Sequence, residues 1–130
     1  MSSVFTKIVN REIPAHIVCE DENHLAFLDI NPLAAGHTLV IPKQETDYIF
    51  DFSDEAISAL MIFTRRVALA IDAWTSAQRV GIAVIGLEVP HAHIHLVPIN
   101  GIHDIDFSKP KMKFSNEEFA HIAKEIAEHL

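Results

Sequence analysis

Three histidines occupy every second position of Pro90-His91-Ala92-His93-Ile94-His95-Leu96-Val97-Pro98, with Ala92, Ile94 and Leu96 between and beyond them. Strict alternation is the mark of a β-strand with one buried face. The three imidazoles are therefore predicted to leave the same side of the chain, neighbours roughly 6.5–7 Å apart. The two prolines suit the ends of such a strand better than its middle. Nine histidines in 130 residues give some such triple by chance roughly 4% of the time, counted against the strand template, so an incidental wet face ranks below a reactive row. Two chemistries compete. Neutral imidazole is a zinc ligand, but the outer residues would stand roughly 13 Å apart on an extended strand. Two could share an ion; three could do so only across a sharp bend. The other chemistry is phosphate transfer, in which the middle ring attacks phosphorus and its neighbours hold the phosphate oxygens. Histidine is a competent covalent nucleophile, and its ordinary pKa near 6.5 leaves much of it neutral at pH 7.

The row needs a sheet to sit in and helices to cover it. Ala15 to Glu20 and His24 to Ile30 read as a hairpin across Asp21-Glu22-Asn23. His37 to Pro42 reads as a third strand entered from Gly36. Arg79 to Ile85, apolar at almost every position, reads as a fourth and central strand. Ser2-Ser3 is placed to cap a short helix over Val4 to Asn10, with Phe5, Ile8 and Val9 inward. Ser53, followed by Asp54 and Glu55, starts a long helix running to about Trp74 or Ser76. Its apolar residues make one stripe through Ile57, Leu60, Met61, Thr64, Val67, Ala68, Ile71 and Trp74. A second stripe holds Ile62, Phe63, Leu69, Ala70 and Ala73. A helix apolar over most of its circumference expects cover on both sides, and one small sheet cannot supply it. A partner copy on the second side, in a twofold dimer, is expected. Ser115-Asn116-Glu117-Glu118 begins a last helix to about Glu128. Residues 99–114 read as a loop, with Lys109, Lys111 and Lys113 solvated. His16, His24, His103, His121 and His129 are expected at the surface.

Composition bounds the rest. At 130 residues and 49% hydrophobic, a single domain over residues 1–130 with an ordinary core is expected. A formal charge of −8 with neutral histidine argues against a nucleic-acid polymer as partner, although local donors still suit a small phosphate. The single cysteine, Cys19, has no partner for an internal disulfide and suits a reducing cytoplasm. No apolar run approaches a membrane span of roughly 18 residues, and no secretory signal is evident.

In its ordered segments the chain resembles the histidine triad (HIT) superfamily, most closely the Hint-like branch of small nucleotide-binding hydrolases and phosphoramidases. Those segments are Phe5-Thr6-Lys7-Ile8-Val9, Glu12-Ile13-Pro14-Ala15, Ala26-Phe27-Leu28-Asp29-Ile30-Asn31-Pro32, Gly36-His37-Thr38-Leu39-Val40-Ile41-Pro42-Lys43 and His91-Ala92-His93-Ile94-His95. The resemblance implies an α+β fold: an antiparallel five-stranded sheet, one long central helix and a C-terminal helix, paired as a homodimer. It implies that His93 is the nucleophile, that His91 and His95 orient the phosphate, and that His37 is the fourth histidine of the site, orienting His93 or handling the leaving group's proton. Asp29 alone would read as a turn-stabilising acid; the resemblance makes it the acceptor for ribose hydroxyls. By the same resemblance Phe27, Leu28 and Ile30 flank the sugar, and Val4, Phe5, Ile8 and Leu39 line the base. Related bacterial proteins carry a Cys-x-x-Cys that helps bind zinc where this chain has Ser3 and Thr6, so no structural zinc is expected. The chemistry needs no metal and no cofactor.

The chain departs from the family pattern at Gly86-Leu87-Glu88-Val89-Pro90, where members carry a longer glycine-rich loop ending in Gly-Gln-Ser or Gly-Gln-Thr. Glu88 takes the place of the hydroxyl residue. An ionised carboxylate cannot donate a hydrogen bond, and its charge opposes a phosphate a few Å away. The expected function is hydrolysis or nucleotidyl transfer on nucleoside phosphoramidates, phosphate esters or dinucleoside polyphosphates. A nucleotide-binding dimer without turnover and a metal-dependent hydrolase using two of the strand histidines are the alternatives.

Overall fold

The computed structural model describes residues 2–130. Helix α1 is Val4–Val9, α2 is Asp54–Trp74 and α3 is Asn116–Ala127. The strands are β1 Ile17–Glu20, β2 His24–Leu28, β3 Thr38–Pro42, β4 Arg79–Ala83 and β5 Ile94–Ile99. They form one antiparallel sheet in the order β1-β2-β3-β5-β4. This is the α+β architecture that the sequence predicts.

Each helix begins at a serine whose hydroxyl accepts a backbone N–H: Thr6 N–H to Ser3, Ala56 N–H to Ser53, and Glu118 N–H to Ser115. At α3 the Glu118 side chain reaches back to the Ser115 N–H and completes a capping box. Both faces of the sheet centre are covered. Ala26, Leu28, Val40, Ile94 and Leu96 pack against α2 and α3. Leu25, Phe27, Leu39 and Ile41 pack against Phe5 and Ile8 of α1. Two covered faces explain why β2 and β3 are apolar at nearly every position rather than alternating.

Several expectations are corrected. β4 is the edge strand, not a central one. Its apolar residue Ile82, and Ile85 just beyond its end, are about half exposed. Pairing in β5 starts only at Ile94 and continues through Pro98 to Ile99, so His91 and His93 lie in a lead-in segment ahead of the ladder. Of the second stripe on α2, Phe63 and Ala70 belong to the core, while Ile62 and Leu69 face outward. Met61, assigned to the inner stripe, is also exposed. His24 is buried rather than superficial; its ring stacks on Phe63 and its Nδ1 meets the Asp21 carboxylate at 3.0 Å.

Gly36 has φ +90°, a conformation that disfavours a side chain, and a Cβ there would meet the Trp74 ring at 2.6 Å. This close approach lets the chain turn into β3 with His37 at its mouth.

Candidate active site

Register across the sheet builds one wall of the site. Phe27 pairs with Leu39, and Leu39 pairs with His95. Facing residues in adjacent strands share a side of the sheet, so an aromatic ring, an aliphatic side chain and an imidazole stand in a row on the face that α1 covers. A cavity of about 260 Å³ opens there. Its apolar end is lined by Val4, Phe5, Ile8, Phe27 and Leu39, and its polar end by Asp29, Asn31, Glu88, His93 and His95. Leu28 and Ile30 also line it. The residues expected around the sugar and base therefore meet in one cavity. Ile13, Pro14, Ala15 and Val89 complete its lining.

Two of the expected catalytic residues, His91 of the row and His37 beside it, stand elsewhere than expected. His91 is wholly buried, 0% exposed, and does not line the cavity. The carbonyl of Pro42 is 2.7 Å from its Nε2 and can only accept, so Nε2 carries the proton. The Ser3 hydroxyl at 2.9 Å then donates to Nδ1. With both ring nitrogens committed, His91 has nothing to offer a phosphate. The strand does not continue through it, so the period-two rule does not aim its ring. His37, in turn, contacts His95 rather than His93.

The remaining tautomers follow from backbone groups that can act in only one sense. The His91 carbonyl lies 2.8 Å from His93 Nδ1, so Nδ1–H donates and Nε2 keeps a lone pair. The Leu33 N–H donates to His37 Nδ1 at 3.0 Å, so the His37 proton sits on Nε2. That proton is donated to His95 Nδ1 at 3.0 Å. His95 must then carry its own proton on Nε2. The cavity thus meets a lone-pair nitrogen on His93 and an N–H on His95, with ring centroids 5.0 Å apart. Phe5 packs edge-on against His93 at 5.0 Å, and Phe107 against His95 at 4.7 Å. Asp29 uses Oδ1 to accept the Asn31 N–H at 2.8 Å, and its Oδ2 lies 3.5 Å from His37 Nε2.

Sequence reasoning missed Phe107, Glu45 and Lys111. Phe107 and Lys111 lie in a loop without periodicity, which the Met112 N–H to Pro32 carbonyl bond ties to the site. Lys111 is not simply solvated: its ammonium donates to the Phe107 and Lys109 carbonyls, and its charge reaches Asp29 and His37. No signal in the chain marks either residue.

Asp29, His37 and His95 bring donor atoms within 4.8 Å of one another. A metal there would need the lone pair of His37 Nε2, which would move the proton to Nδ1, against the Leu33 N–H. Two donors would then face each other, so the hydrogen-bond pattern opposes a metal at this point. Beside His91, Ser3 and Thr6 present hydroxyls already engaged in hydrogen bonds. Neutral hydroxyl oxygen is a poor substitute for thiolate at zinc, so these residues do not fit a structural zinc.

Burial governs the charge states. It is the main cause that lowers His37 to about 3, followed by the charges of His95 and Lys111. It likewise lowers His95 to about 4, with His93 second. Burial lowers His91 against the opposing pull of the Pro42 carbonyl and Glu45, and raises Asp29. Unfolded histidine titrates near 6.5. Between pH 6.5 and about 4 the unfolded chain therefore binds protons that the folded one refuses, and stability falls as pH falls. A loss of about 4 kcal/mol between pH 6.5 and 4.5 is expected from the hydrogen-bonded His37–His95 pair. Urea unfolding midpoints at the two pH values measure it; an unchanged midpoint would contradict a neutral pair.

Comparison with known proteins bears on the family and the fold. Residues 10–102 match the HIT domain family. The adenosine 5′-monophosphoramidase of Schizosaccharomyces pombe is 33% identical over 98% of this chain and 97% of its own. That of Saccharomyces cerevisiae is 38% identical over 73% of this chain and 61% of its own. A crystal structure of a Hit-like protein involved in cell-cycle regulation from Bartonella henselae superposes with a TM-score of 0.86 at 29% identity, covering 99% of this chain and 96% of that one. By sequence and by fold alike, this chain belongs to the HIT family.

Proposed function

We propose that the protein hydrolyses nucleoside 5′-phosphoramidates through a nucleotidyl-His93 intermediate. The observation that carries the reading is the pair of fixed tautomers on the cavity wall: a lone pair on His93 Nε2 beside an N–H on His95. His93 Nε2 attacks the α-phosphorus. The P–N bond to the leaving amine breaks, and the amine departs with a proton taken from water. His95 Nε2–H donates to a non-bridging oxygen and stabilises charge on the phosphoryl group. Water then attacks phosphorus, the P–Nε2 bond breaks, and the nucleoside monophosphate is released. Asp29, through Oδ2, accepts the ribose hydroxyls, and Phe5, Ile8, Phe27 and Leu39 hold the base. The phosphoramidase names of the two yeast relatives support this substrate class. A panel of adenosine and guanosine phosphoramidates, dinucleoside polyphosphates and a 3′-deoxy analogue tests it. Phosphoramidates are expected to turn over fastest, and the 3′-deoxy analogue to raise KM. A nucleoside monophosphate that binds while no member of the panel turns over would select a non-catalytic binding protein.

Glu88 lines the polar end of the cavity, and its charge acts on Asp29. Two carboxylates at that end disfavour a leaving group with negative charge. Glu88→Ser is expected to raise kcat/KM for dinucleoside polyphosphates by about tenfold, an effect of roughly 1.4 kcal/mol. Steady-state kinetics measure it; an unchanged or lower value would place the carboxylate outside the leaving-group path.

A twofold homodimer is the assembly we infer. Ile62 is 72% exposed and Leu69 51% on the outer side of α2, and the β4 edge beside it is unpaired. Leu69 shares a surface groove with Arg65, Asp72, Arg79 and Val80, so helix and edge strand form one continuous surface that joins apolar side chains to charges of both signs, a combination a twofold contact can pair with itself. Leu69→Glu is expected to convert the dimer to a monomer in solution scattering at micromolar concentration. A wild-type monomer under those conditions would remove the assembly. No helix among the described residues is long and apolar enough to cross a membrane, and the buried free Cys19 fits a cytoplasmic setting.

A further inference from the structure

We propose that Ser3, Thr6 and Glu45 form a hydrogen-bonded clasp that positions His91, and through its carbonyl His93, for catalysis. The proposal rests on the function given above and deepens it. His93 can attack only while its Nδ1–H is held by the His91 carbonyl at 2.8 Å. That carbonyl lies outside the ladder, because β3 first pairs with β5 at Val40 and Ile94. Sheet hydrogen bonds therefore do not fix it, and other contacts must.

Those contacts come from two directions. From the segment after β3, the Pro42 carbonyl accepts from His91 Nε2–H at 2.7 Å, and the Thr46 carbonyl accepts from the Ala92 N–H at 2.7 Å. From the start of α1, the Ser3 hydroxyl donates to His91 Nδ1 at 2.9 Å. Glu45 joins the two. Its Oε1 accepts the Ser3 N–H and the Thr6 hydroxyl, each at 2.6 Å.

Glu45 also settles which hydroxyl serves His91. Thr6 Oγ1 lies 3.3 Å from His91 Nδ1, close enough to compete with Ser3. A threonine hydroxyl has one proton, and the carboxylate takes it. The Ser3 oxygen accepts the Thr6 N–H at 3.1 Å and keeps its own proton for the imidazole. The result is a single tautomer and a single ring orientation at His91. Phe5, in the same helical turn, packs edge-on against both His91 at 5.9 Å and His93 at 5.0 Å. Among the described residues no buried side-chain nitrogen or oxygen lacks a partner, so removing the Ser3 hydroxyl takes the buried His91 Nδ1 from its donor.

The test separates positioning from folding. With adenosine 5′-monophosphoramidate as substrate, Ser3→Ala is expected to lower kcat about tenfold, the usual size of a supporting-residue effect, with KM within about twofold. Glu45→Ala is expected to lower kcat similarly. Glu45→Gln is expected to restore most of that loss, because an amide oxygen still accepts both bonds. Nitrogen-15 spectra of the imidazoles give a readout that folding alone would not move. The wild type should show His91 as the Nε2–H and His93 as the Nδ1–H tautomer, and Ser3→Ala should lose the single-tautomer pattern at His91. Unchanged kcat and unchanged spectra in Ser3→Ala and Glu45→Ala, with an active wild type, would overturn the clasp and leave the function standing. An inactive wild type would remove the function instead, and the spectra would still decide for or against the clasp.

Discussion

His93→Ala should abolish turnover of adenosine 5′-monophosphoramidate, with a fall in kcat of about 10⁵-fold or more, comparable to removing a nucleophile from other covalent enzymes. That corresponds to about 7 kcal/mol of lost transition-state stabilisation. The variant keeps Asp29, Phe5, Phe27 and Leu39 around the cavity, so nucleoside monophosphate affinity should change only a few-fold. This split between binding and turnover makes the result specific. Among the described residues no other lone-pair nitrogen faces the cavity: His91 is committed on both nitrogens, and His95 presents its N–H. Rapid quenching followed by mass spectrometry should find a nucleotidyl adduct on His93 in the wild type and none in the variant. Undiminished turnover in His93→Ala would eliminate the covalent route.

His37→Leu should lower kcat by about 10³-fold while leaving KM little changed. His37 is 1% exposed and does not line the cavity, so the proposed mechanism gives it a positioning role. Its Nε2–H holds His95 Nδ1 as an acceptor and thereby keeps the His95 proton on Nε2. Leucine fills much of the space without donating. His95 can then place its proton on Nδ1 and present a lone pair to an anionic phosphate, where attraction becomes repulsion. Losing the correct tautomer in an analogous triad costs about 10⁴-fold; here the nucleophile itself is untouched, so the effect is smaller. Steady-state kinetics and nitrogen-15 spectra of His95 check the two halves of the argument. A leucine variant with normal kcat would mean that His95 keeps its tautomer without His37.

Most of the architecture was legible because it rests on local signals. Serines at three helix starts, the hairpin acids and the apolar runs of β2 and β3 each encode their element within a few residues. Neighbours across the sheet carried less. The apolar run from Arg79 reads as a central strand because residue types do not tell a strand buried on both faces from an edge strand whose apolar side chains stand exposed. His24 was expected at the surface because the Phe63 ring and the Asp21 carboxylate that shelter it come from elsewhere in the fold and from a turn.

The sequence by itself set the alternation through Ile94, His95 and Leu96, and its resemblance to a known family named the side chains that meet at the cavity, although His91 and His37, expected in the site, lie outside the lining. Only the tertiary structure decided what each imidazole does. A tautomer is chosen by the partner on the far nitrogen, and those partners are the carbonyls of Pro42 and His91, the amide of Leu33 and the hydroxyl of Ser3. Backbone carbonyls and amides are identical at every position of a sequence, so nothing in the order of residues reveals which of them will face a ring.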